Sequence, residues 1–99
     1  MVDRASLPAL SDGTHARPFP DGEPDVVRLA LDAGESIPSH THPERRIVFH
    51  LLSSTLALTV DDETHHLDAG DIVRFDGRSA VSPDAIEDSE ALLVLAERS

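Results

Sequence analysis

From residue 25 onward, apolar and polar positions alternate in short runs. Val27, Leu29 and Leu31 interleave with Val26, Arg28 and Ala30, and the run stops at Asp32-Ala33-Gly34. Side chains two apart on an extended chain share a face, so this period predicts a strand. The same reasoning predicts strands over 47–52, 56–60, 64–67, 72–75, 85–87 and 91–96. Between them lie turn residues: Asp61-Asp62, Asp68-Ala69-Gly70 and Asp76-Gly77. No stretch carries a useful helical period. Seven or more short strands with turns every 8 to 12 residues or so argue an all-β barrel or sandwich. Residues 1–24 contain Pro8, Pro18, Pro20 and Pro24 and little periodicity, which reads as an irregular N-terminal arm ahead of one β-domain over 25–99.

Composition narrows the setting. The 99 residues suffice for one core. With no cysteine, disulfides and thiolate metal sites are excluded, and the absence of a long apolar run or a signal-like start gives a cytoplasmic expectation. There are 19 acidic residues against 8 basic, all arginine, for a formal net charge of −11. Such a surface repels nucleic-acid phosphates and anionic headgroups, so neither nucleic acid nor membrane is an expected partner. A lysine-free, carboxylate-rich surface suits concentrated salt, where self-repulsion is screened, and points to a halophile.

The candidate chemistry centres on His40 and His42. They lie two apart in Gly34-Glu35-Ser36-Ile37-Pro38-Ser39-His40-Thr41-His42-Pro43, so an extended backbone aims both imidazoles into one space. Two imidazoles are half of a common metal site. Glu44 and His50 are weaker candidates for a further ligand; Pro43 suggests a turn before Glu44, and His50 needs a bulge to reset its register. His65 and His66 sit beside the Asp61-Asp62 turn and are expected to be exposed.

This segment resembles the first motif of the cupins, small antiparallel jelly-roll barrels. Gly34, the five-residue gap, His40 and His42 fit it. The glutamate that the family places next falls on Arg46 with the shorter gap or Ile47 with the longer, and Ser54 in the place of a later glycine favours Ile47. Gly70-Asp71-Ile72-Val73-Arg74-Phe75 is similar to the start of the second motif; Asp76-Gly77 stands for its turn and the last ligand falls near Val81. The resemblance covers roughly residues 25 to 98 and implies a cupin-like antiparallel β-barrel in which two of four metal ligands are replaced.

Arg46, Phe49 and Arg74 complete the candidate pocket. If Arg46 and Arg74 face inward, they make a cationic cavity that binds a carboxylate or phosphate through planar guanidinium forks. Strand parity leaves open whether Ile72 and Arg74 or Val73 and Phe75 face the interior. The expected function is a small-ligand-binding or regulatory module with no tightly bound cofactor and at most a weakly held divalent metal ion, its partner a small molecule, anionic if the arginines face in. The resemblance also implies an alternative, a metal-dependent enzyme of oxygenase or isomerase type using His40 and His42. A third reading is a structural dimerisation module. A homodimer through strand edges is expected, since edges left open invite pairing.

Overall fold

The computed structural model describes residues 2–10 and 13–97, and in it the alternating runs pair into two sheets. The strands are β1 (His15–Ala16), β2 (Asp25–Leu31), β3 (Arg45–Ser53), β4 (Thr55–Val60), β5 (Glu63–Asp68), β6 (Ile72–Asp76), β7 (Val81–Ala85) and β8 (Ser89–Glu97). One turn of 3-10 helix, Leu7–Ala9, precedes them. The larger sheet has the order β1-β2-β8-β3-β6 and the smaller β5-β4-β7, with every pairing antiparallel. This is an all-β jelly roll. Among the described residues no helix is long and apolar enough to cross a membrane.

Period-two alternation decides what each sheet buries. On β3, Ile47, Phe49 and Leu51 are at most 1% exposed, while Arg46, Val48 and His50 occupy the other face. Leu56 and Leu58 of β4 meet Phe49 and Leu51 from the smaller sheet, in one core cluster with Leu29, Leu31 and Leu67. Val27, Ile47 and Leu95 form a second, smaller cluster, against which Phe75 and Leu93 pack. A buried side chain of this size stabilises by roughly 1.5–3 kcal/mol relative to exposure.

Two expectations shift. The arm over 1–24 is not wholly irregular, because β1 pairs with β2, placing His15 opposite Leu29 and Ala16 opposite Arg28. The strand expected over 85–87 lies earlier, at Val81–Ala85, and includes Pro83. A proline is tolerated here because β7 is an edge strand, flanked on its outer side, among the described residues, only by isolated bridges to Ser36 and His40. The Pro83 carbonyl still accepts from the Ile37 N–H at 3.0 Å.

The turns follow the sequence. Gly34 and Gly70 adopt φ of 84° and 96°, the left-handed region that glycine enters without strain. Ser54, where the cupin motif has glycine, also sits at φ 65°.

Candidate functional site: an apolar pocket with an imidazole rim

Register alone brings the site together. Residues directly opposite in an antiparallel pair share a face. His15 therefore lies on the face of Leu29, which points between the sheets, and alternation puts Arg17 there too, level with Val27. From the other side, an isolated bridge sets His40 opposite Val81, with mutual backbone hydrogen bonds of 3.1 and 2.9 Å. His42 follows two residues on. Its N–H donates to the Gly77 carbonyl at 2.7 Å, and its own carbonyl accepts from the Arg45 N–H at 2.9 Å.

These side chains rim a cavity of about 90 Å³ between the sheets. Val27, Leu29, Leu93 and Leu95 form one wall, Ile47, Phe49 and Phe75 the floor, and Ile37, Val81 and Pro83 the opposite wall. All the polar atoms of side chains in the lining belong to His15, Arg17, His40 and His42. Water fills a cavity only where polar partners hold it, and an apolar cavity of about 150 Å³ accepts a molecule the size of benzene. This pocket suits a body of a few carbons under a polar rim.

The rim has defined donors and acceptors. His40 Nδ1 lies 2.9 Å from the Pro38 carbonyl, which can only accept, so this nitrogen carries the proton and the neutral ring keeps its lone pair on Nε2. The His40 and His42 rings meet edge to face, with centroids 4.8 Å apart and planes at 86°. Arg17 reaches Asp25 through Nε at 3.2 Å and Nη2 at 3.3 Å. Arg45 pairs with Glu23 and donates to the Leu95 carbonyl at 2.9 Å.

Desolvation, joined by the charge of Arg17 and then of His40, holds His15 below the usual histidine range. Desolvation also lowers His42, followed by His40, Arg45 and Arg17, with Asp25 opposing. A folded-state value below the unfolded one means that the unfolded chain takes up protons first. The stability so contributed is complete above the unfolded value near pH 6.5 and lost as pH falls through the folded values. The wild-type melting temperature should therefore drop more than that of His42→Gln between about pH 7.5 and about pH 5.5. Parallel pH profiles for the two proteins would contradict this.

Of the residues singled out from sequence, His40, His42 and Phe49 line the pocket. Arg46 and Arg74 do not; both are exposed on the outer face of the larger sheet, because Ile47 and Phe75 take the inward parity at those steps. The cationic cavity built on these two arginines is thereby corrected. His50 shares that outer face, opposite Ile72, and Glu44 is exposed at the turn before β3, so neither joins His40 and His42. His65 bonds to Glu63 at 2.9 Å on β5, away from the pocket. The residues that sequence reasoning missed are His15 and Arg17. Their signal was the alternation His15-Ala16-Arg17, too short to stand out beside Pro18 and Pro20.

A four-ligand metal does not fit this pocket. The two positions that the motif spacing assigns to the missing ligands hold Ile47, 1% exposed, and Val81, 6% exposed, and both line the cavity. Neither has a donor atom. Among the described residues, no three His, Cys, Asp or Glu side chains form a group that could hold an ion.

The fold and its pocket define an antiparallel jelly roll with an apolar cavity between its sheets. The chain belongs to the cupin family: residues 27–96 match the family model described as Cupin domain. No curated protein matches it. Among solved structures, it is similar to the Cnp3 cupin domain of Schizosaccharomyces pombe, with TM-score 0.84 and 17% identity over 94% of this chain and 68% of that one. The TT1209 protein of Thermus thermophilus aligns with TM-score 0.82 and 18% identity over 99% of this chain and 100% of that one. The conserved SPY1581 protein of unknown function from Streptococcus pyogenes aligns with TM-score 0.75 and 22% identity, covering 86% and 74%. At these identities the likeness is one of fold.

Proposed function

We propose that this cupin is a binding module for a small organic molecule, held in the pocket between the sheets without a tightly bound metal. The observation that carries this reading is the pair Ile47 and Val81, which put aliphatic carbon where the family motif has ligands and extend the apolar lining to the rim. Burying a few carbons there yields roughly 0.8 kcal/mol per methylene, and the rim gives the polar end of the ligand its orientation. Small-molecule sites of this kind are largely apolar with a few placed polar groups.

The test is occupancy. Native mass spectrometry of untagged protein, followed by denaturation, should release a small molecule or show saturable uptake of small branched alcohols and acids. Ile37→Phe fills the cavity from one wall and should abolish uptake while leaving the far-ultraviolet circular dichroism unchanged. Uptake that persists in Ile37→Phe would place binding elsewhere.

A second reading is favoured by one detail. A ligating imidazole typically donates its other ring N–H to a carbonyl, as His40 does toward Pro38, which leaves Nε2 available to an ion. In this version His40 and His42 hold a divalent ion weakly, with copper and nickel ahead of iron and manganese. What favours binding over chemistry is that, beyond its histidines and Arg17, the lining holds only aliphatic and phenyl side chains.

A further inference from the structure

We propose that the pocket selects a short branched carboxylate, with its hydrocarbon end among Val27, Leu29 and Phe49 and its carboxylate on the guanidinium of Arg17. This rests on the small-ligand reading above and adds the class of ligand to it.

Three observations carry it. Among the described residues Arg17 is the one permanently charged side chain in the lining, and it follows β1 directly, at a cavity otherwise lined by apolar side chains and three imidazoles. Its side chain is 50% exposed, so a ligand can reach it. Only Nε and Nη2 face Asp25, leaving the Nη1 edge of the fork outside that pairing. An arginine carries five N–H donors in a plane and binds a carboxylate through two of them.

The size of the cavity sets the hydrocarbon. A space of about 90 Å³ is smaller than the roughly 150 Å³ that admits benzene. A branched four-carbon body matches such a space better than a long chain does.

The formal charge of −11 argues against an anion from a distance. At about 0.15 M salt, charges beyond roughly 8 Å are largely screened, so the groups at the mouth decide. There the opposing charge is Asp25, whose carboxylate lies where it competes with the ligand for Arg17. Asp25→Asn therefore has an effect of opposite sign to the loss of Arg17. A merely structural Arg17–Asp25 pair would make both substitutions act alike.

Titration calorimetry on the full chain tests this with two probes sharing one hydrocarbon body, sodium isovalerate and its neutral counterpart isoamyl alcohol. Isovalerate should bind about tenfold tighter or better, as a charge-assisted pair implies. Arg17→Gln should remove that advantage, Arg17→Lys should restore only part of it, and Asp25→Asn should increase it, the ratio of isovalerate to alcohol affinity being the readout throughout. Equal affinity for the two probes, or an isovalerate preference that survives Arg17→Gln, would overturn the carboxylate assignment and leave the small-ligand reading standing. Binding of neither probe to wild-type protein would overturn the carboxylate assignment, and absence of any small molecule in the mass-spectrometric test would remove the reading beneath it.

Discussion

The double substitution Ile47→Glu/Val81→His should turn this chain into a protein whose fold depends on metal. Without metal it should melt well below the wild type, because a carboxylate at a position now 1% exposed is a buried charge without a partner, at a cost of several kcal/mol. With zinc or nickel added, the new carboxylate and imidazole join His40 and His42, and the bridge His40–Val81 already sets two of these positions opposite one another. Binding to the folded state alone stabilises by about 4 kcal/mol when the metal is at roughly a thousand times its dissociation constant. For a chain of this size that raises the melting temperature by roughly 15 °C or more. The wild type should move by about 2 °C or less under the same conditions. Melting curves with chelator and with metal decide this, and the absence of a metal-dependent rise in the double variant would mean that Ile47 and Val81 are not the replaced ligand positions.

The second large effect belongs to Gly77. A Cβ added here would stand 2.1 Å from the His42 carbonyl oxygen and 2.6 Å from that of Arg45, both backbone atoms that cannot rotate away. The same turn is closed by the Gly77 N–H donating to the Arg45 carbonyl at 2.9 Å and by the Gly77 carbonyl accepting from the His42 N–H. Gly77→Ala must therefore pry open the connection that seats His42 at the rim. The expected loss is at the upper end for overpacking, about 3 kcal/mol, or a fall in melting temperature of roughly 10 °C or more. Gly13→Ala is the control, since among the described residues nothing lies within 4 Å of a Cβ added there. Urea unfolding should separate the two variants clearly, and a Gly77→Ala midpoint equal to that of Gly13→Ala would contradict the close approach.

The fold was legible in the sequence where apolar positions alternate over six or more residues, as in β2, β3 and β4, and where turn chemistry is explicit, as at Gly34, Gly70 and Asp76-Gly77. Motif spacing took the reading further: it assigned Ile47 and Val81 to replaced ligand positions, and both side chains face the cavity beside His40 and His42. Parity failed at Arg46 and Arg74 for a physical reason. The larger sheet carries apolar side chains on both faces, with Val26, Val94 and Val48 in one row on the outside, opposite the face of Ile47 and Leu95. A run such as Leu92-Leu93-Val94-Leu95 then says that a strand is present and not which side it buries. His15 and Arg17 were hidden by length, because a two-residue strand between prolines has no period to detect. Their place comes from pairing with β2, and long-range pairing is what a single sequence conceals best.

On the proposed function, this cupin keeps its pocket for a small molecule and not for a tightly held ion. Elemental analysis of untagged protein, dialysed against a mild chelator, separates the two. Well under one ion of copper, nickel, zinc, iron or manganese per chain should remain, with the protein still folded. About one retained ion per chain, lost together with the fold in His40→Ala, would contradict it.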